Sequence, residues 1–271
     1  MRERQQVTII QRTALISFLI MVGVNVLANI LPINGITTGE VSDSFPNLFA
    51  PAALTFYIWG LIYLLLAAYT LYLLGFFRGD TLSIYSTGRD LLIKTGFFFT
   101  VSSLANAAWV FSWHFIRIPL SMVFMVVILI CLIIIMEVIR GQRLSSRENL
   151  FIRFPFSIYF GWITVATIAN FTVLLVSLGW NRFGLSEVTW TVIMIIMGLL
   201  IGVGFALRNS DVPYLVVLIW AYSGILLKHI SGNGFGGQYP AVIYTVTGCI
   251  AVLFGVIVYI FVNGKKSRRI W

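Results

Sequence analysis

Residues 118–140 read IPLSMVFMVVILICLIIIMEVIR, and no charged side chain interrupts the run between Arg117 and Glu137. A hydrocarbon core about 30 Å thick is crossed by about 20 apolar residues at about 1.5 Å rise each, so this stretch predicts a membrane-spanning helix. Working outward in both directions, further stretches pass the same test at roughly 11–31, 51–77, 95–116, 155–178, 190–208, 212–230 and 241–262. The expected fold is all-α: a polytopic transmembrane helix bundle of about eight spans.

Composition agrees. Hydrophobic residues make up 59% of the 271 and charged residues only 10%, against roughly 25% charged in a soluble domain. Lipid is the expected partner for most of the exterior. The net charge of +9 does not point to nucleic acid, because the basic residues lie in short gaps between apolar runs rather than in one patch. Cys131 and Cys249 fall inside apolar runs, with no metal-ligand spacing and no disulfide signature. The run after Arg2, Arg4 and Arg12 is too long for a signal peptide and ends in Asn29-Ile30-Leu31-Pro32 rather than small-x-small, so it is expected to stay as the first helix.

Charge sets the expected orientation. With the N-terminus inside, one face holds Arg2, Arg4, Arg12, Arg78, Arg89, Lys94, Arg140, Arg143, Arg147, Arg153, Arg208, Lys265, Lys266, Arg268 and Arg269, and the other only Arg117, Arg182 and Lys228. Positive residues stay cytoplasmic, so both termini are expected there. The expected location is a bacterial inner membrane, which the charge pattern does not distinguish from an organellar one. The connections are short. The longest, Pro32 to Ala50, carries the turn formers Asn34-Gly35, Gly39, Pro46 and Asn47, and should fold over the bundle as an ordered cap because Ile33, Ile36, Phe45, Leu48 and Phe49 need burial. The glycine-rich segment Ser231 to Tyr239 is expected to be mobile. No internal repeat is evident.

Polar groups at membrane depth are costly unless partnered, so they point inward. The first run carries Asn25 and Asn29 one turn apart. The second carries Thr55, Trp59 and Tyr63 at successive turns. The third carries Ser102, Asn106, Trp109 and Trp113 on one stripe, with Ser103 beside it. The fifth carries Trp162, Ala166, Ala169, Asn170 and Val173 on another. Two readings are open from spacing alone: an aromatic-lined pocket, or helix packing through small residues and interhelical hydrogen bonds.

At these residues the chain resembles the TspO/MBR family, the tryptophan-rich sensory proteins related to translocator protein. Phe49-Ala50-Pro51 followed by Phe56, Trp59 and Tyr63 is similar to the family's loop and second helix. Asn106-x2-Trp109 with Pro119 is similar to its third and fourth, and Trp162-x3-Ala166-Thr167-x2-Asn170 matches its fifth. Ala52, Leu54 and Val110 stand where the family has proline, tryptophan and serine. The resemblance covers about 11–178 and implies a TspO-like five-helix bundle at 1–180, extended at 181–271 by three helices and a basic cytoplasmic tail.

The resemblance further implies a ligand cavity for porphyrins or other flat hydrophobic molecules, lined by Trp59, Tyr63, Asn106, Trp109, Trp162, Ala166 and Asn170. Porphyrin or haem would then be a ligand, with no cofactor required, and a homodimer is compatible with the extra helices. The rival functions are a transporter of a small hydrophobic solute and a porphyrin-degrading membrane enzyme with Trp59 or Trp162 as redox-active aromatic. No Ser/His/Asp set, phosphate loop or His-x3-His spacing supports other chemistry. Lys228, followed by His229 and a glycine-rich loop, is expected to snorkel. Glu137 is expected to pair with Arg140, and His114 is read as an interface histidine with iron or propionate binding as the rival role.

Overall fold

The computed structural model describes residues 2–31, 33–77 and 87–267, and every regular element among them is helical. Pro32, Arg78, Arg268 and Arg269 lie outside the described residues, as do the side chains of Arg2, Arg4, Asn29, Lys265 and Lys266. In order the helices are α1 (Arg2–Ile30), α2 (Thr38–Asp43), α3 (Ile58–Leu74), α4 (Thr87–His114) and α5 (Ile118–Arg140). There follow α6 (Ser146–Glu148), α7 (Phe154–Ser177), α8 (Glu187–Asn209), α9 (Val212–Ile230) and α10 (Pro240–Ser267). Among the described residues, eight helical segments are long and apolar enough to cross a membrane, carried by α1, α3, α4, α5, α7, α8, α9 and α10. The chain is an all-α polytopic membrane protein.

Local chemistry sets the helix boundaries. Proline opens α5 (Pro119), α9 (Pro213) and α10 (Pro240), where a missing N–H costs nothing. At the end of α7, Gly179 sits at φ 64 while its N–H bonds Val176 O and that of Trp180 bonds Leu175 O. This is the paired closure that needs a left-handed residue. A capping box, Ser145 with Glu148, starts α6, and a π turn at Asn149–Arg153 leads on to α7. Helix α4 starts well before residue 95 because Leu91, Leu92 and Thr95 are buried, giving its polar first turns an apolar side.

The chain divides into two compact units: residues 1–41 with 58–160, and 42–57 with 161–271. In the first, Tyr69 lies 5.1 Å from Phe99 and 4.6 Å from Phe156, both edge-on, and donates to Thr95 Oγ1 at 3.0 Å. Gln11 of α1 donates to Leu73 O of α3 at 2.8 Å. A side chain at Gly96 of α4 would run into Ile10 of α1. Glu137 and Arg140 pair at 3.5 Å as expected.

In the second unit, residues 42–57 are tied along α9. Ala52 N donates to Gly224 O and Trp220 Nε1 to Thr55 O, each at 3.0 Å. His229 Nε2 sits 2.9 Å from Leu48 O, and Lys228 Nζ pairs with Asp43 Oδ1 at 2.9 Å. The lysine therefore has a carboxylate partner. Glycine lets α7 approach α9, since a Cβ on Gly161 would stand 2.9 Å from Val217 Cβ and 3.1 Å from Tyr214 O. Tyr214 OH donates to Thr164 Oγ1 at 3.1 Å.

Residues 33–50 pack as expected: Val41, Leu48 and Phe49 are at most 2% exposed, and the segment contains α2, which the turn formers did not announce. The segment 231–239 departs from expectation. Phe235 N bonds Lys228 O at 2.9 Å and Gly237 N bonds His229 O at 2.8 Å, while Phe235 and Tyr239 pack on the His229 ring at 4.8 and 5.8 Å. Its glycines allow this tight return onto the end of α9 rather than freedom.

Candidate functional site

The first unit contains a continuous file of aromatic rings. Trp113 stacks on Trp109 at 5.6 Å and 21°, and Trp109 lies 6.3 Å from Trp59 at 32°. Trp59 stacks on Tyr63 at 5.5 Å and 19°, with Tyr159 edge-on to Trp59 at 6.1 Å. One turn separates Trp109 from Trp113 on α4, and Trp59 from Tyr63 on α3, so each helix contributes two rings of the file. Each such pair is worth about 0.5–1.5 kcal/mol beyond burial.

An amide bridge flanks the file. Asn25 Nδ2 of α1 donates to Asn106 Oδ1 of α4 at 2.8 Å, and also to Met21 O at 2.9 Å. Asn106 Nδ2 donates to Tyr159 OH at 3.4 Å. Asn106 is fully buried, so this chain of bonds fixes α1, α4 and the start of α7 relative to one another. Within the aromatic file one hydroxyl lacks a partner. Tyr63 OH is buried and, among the described residues, has no hydrogen-bond partner. Buried polar groups are otherwise nearly always bonded.

The structure thus brings Trp59, Tyr63, Asn106 and Trp109 of the expected site together, and adds Tyr159 and Trp113. Trp113 was on the sequence stripe. Tyr159 was not singled out, although it lies one turn before Trp162 and extends the fifth-span stripe towards the helix start. The expected turn-by-turn series Thr55, Trp59, Tyr63 is broken, since Ala53–Tyr57 is a 3-10 turn. Thr55 belongs to the second unit, bonded to α9.

The other expected site residues, Trp162, Ala166 and Asn170, lie in the second unit on one face of α7. Trp162 and Asn170 are each 2% exposed, and Phe56 meets Trp162 edge-on at 5.9 Å. Ala166 is half-buried.

His114 is fully buried. Its Nε2 lies 3.0 Å from Thr38 Oγ1 and its Nδ1 3.2 Å from Ile33 O, while Trp113 Nε1 donates to Thr38 O at 3.1 Å. Both imidazole nitrogens are engaged in holding the 33–38 segment, which argues against iron ligation. Among the described residues no group of His, Cys, Asp and Glu is arranged to hold a metal.

A family model described as TSPO-like protein matches residues 9–259. The match extends past residue 178, where the resemblance was read to end, and takes in α8, α9 and most of α10. No curated protein and no solved structure matches the chain. With eight apolar helices and a family match over nearly its whole length, the chain is an integral membrane protein of the TSPO-like family, ligand-binding or sensory in general character.

Proposed function

We propose that the chain binds a flat, largely apolar ligand of the tetrapyrrole class against the aromatic file of its first unit, as a binding or sensory protein. The observation that carries this reading is the buried, unpartnered Tyr63 hydroxyl at the end of the file. A macrocycle gains by stacking on Trp59 and Trp109, and a polar edge that accepts from Tyr63 satisfies a buried hydroxyl that has no hydrogen-bond partner among the described residues. Asn106 stands beside the same rings with its amide already oriented by Asn25. On this reading porphyrin or haem is cargo or signal rather than a resident cofactor. The protein sits in a bacterial inner membrane with both termini cytoplasmic, and a second copy of the chain is its expected partner.

The test is titration of purified protein in detergent with protoporphyrin, followed by tryptophan quenching. Tyr63→Phe should weaken binding about three- to tenfold, the worth of one hydrogen bond. Its unfolding midpoint should stay unchanged or rise, because no protein partner is lost. Trp162→Phe is the matched probe of the residues in the second unit. Absence of saturable quenching by the wild type would end the proposal.

A further inference from the structure

A separate cavity lies within the second unit, between the end of α7 and the start of α8. Its volume is about 320 Å³ and it opens to the outside, which is at the small end for ligand sites. Its wall carries two indoles, Trp180 and Trp190, packed edge-on at 4.7 Å. It also carries one cation and one anion, Arg182 and Glu187, beside the aliphatic side chains of Leu175 and Val176. Among the described residues no ion pair joins Arg182 to Glu187. Arg182 is held by Nε at 3.4 Å from Leu185 O, and Glu187 lies in the first turn of α8. Opposite charges kept on one wall without neutralising each other suit a ligand that itself carries both signs.

Position narrows the ligand further. The cavity sits where two successive spans end, at Ser177 and Glu187, which is the level of the membrane surface and the depth favoured by tryptophan. In the chain next to lining residues Gly179 and Arg182 stand two exposed apolar side chains, Leu178 at 65% and Phe183 at 80%. Such side chains at a span end belong among lipid, so acyl chains pass the mouth of the cavity.

We propose that this cavity binds a zwitterionic headgroup of the phosphoethanolamine type. The phosphate accepts from the Arg182 guanidinium. The primary ammonium lies over the indoles and donates to the Glu187 carboxylate. Leu175 and Val176 face the first carbons of the lipid. A quaternary ammonium has no N–H to give Glu187, so choline lipids are second best, and anionic glycerol lipids meet the carboxylate as a like charge.

The full chain, reconstituted in an equal mixture of phosphatidylethanolamine, phosphatidylcholine and phosphatidylglycerol and then progressively delipidated, is read by native mass spectrometry. The last lipid retained should be phosphatidylethanolamine, about tenfold over the other two, the worth of one charge-assisted hydrogen bond. Arg182→Gln and Glu187→Gln should each abolish that preference, and only Glu187→Gln should turn it towards phosphatidylglycerol. Both side chains are partly exposed, and helicity and elution volume verify the fold. Should either variant unfold, Trp190→Phe, which keeps an aromatic ring but not the indole face, should reduce the enrichment severalfold. Soluble O-phosphoethanolamine at millimolar concentration distinguishes the sources: displacement identifies the free molecule as sufficient, and its failure identifies the intact lipid. Equal retention of the three lipids by the wild type, or a preference that survives both charge substitutions, overturns the proposal.

Discussion

Ile116 closes α4 in the left-handed region at φ 56, with Ile116 N bonded to Trp113 O and Arg117 N to Ser112 O. The same closure uses glycine at Gly75 and Gly179. A β-branched residue in that conformation costs about 1–2 kcal/mol, and Ile116 is 46% exposed, so little burial is lost by replacing it. Ile116→Asn, which tolerates the left-handed region, should therefore stabilise the protein by about 1 kcal/mol, read as a thermal midpoint a few degrees higher in detergent. The strain is local to the turn before α5. At Tyr63 the contrast is instructive: its hydroxyl forgoes a hydrogen bond, whereas Tyr159 and Tyr69, in the same unit, have partners at Asn106 and Thr95.

Among the elements, α2 shows how a short helix survives in a connection. Thr37 N donates to Glu40 Oε2 at 2.6 Å and Glu40 N to Thr37 Oγ1 at 3.3 Å, a reciprocal cap. The backbone bond from Thr37, then the bond from its hydroxyl, hold the Glu40 carboxyl below its usual range. A depressed folded value means that the cap's contribution is complete above the unfolded value of about 4.3 and is lost as pH falls through the folded one. Hydrogen-exchange protection of residues 38–43, corrected for intrinsic rates, should hold at neutral pH and decay only at the acid end. Glu40→Gln should remove that dependence. Protection falling already near pH 6 would show that another group controls α2.

For the whole molecule, the fabric of the second unit bears on how far the chain can be shortened. Residues 42–57 take their bonds from Gly224, Trp220, Lys228 and His229 of α9. Thr55 lies against Gly224 so closely that a Cβ there would stand 2.8 Å from Thr55 Cβ. A truncation ending at residue 180 would strip that segment of its partners, leaving a buried main chain unbonded at about 1–3 kcal/mol per group. We expect such a five-span fragment to aggregate or to unfold well below the full chain on size exclusion and thermal melting. A monodisperse fragment of unchanged midpoint would show that 1–180 folds alone.

How much was legible follows from the range of each cause. The spans could be read because crossing a membrane is a property of consecutive residues: hydropathy and length need no knowledge of partners, and proline and glycine mark several ends in the chain itself. The stripes Asn106-Trp109-Trp113 and Trp59-Tyr63 were legible for the same reason, since helical periodicity is local. The break between Thr55 and Trp59 was not, because the 53–57 turn is held by α9, more than a hundred residues away. Tyr159 joining the file, His114 spending both nitrogens on the 33–38 segment, and the pairing of Lys228 with Asp43 are likewise long-range. By itself the amino-acid order determined which segments enter lipid, because transfer from water is summed along a segment. Only the tertiary structure decided which polar groups find each other and which do not, because a hydrogen bond depends on positions in space that adjacency in the chain does not specify.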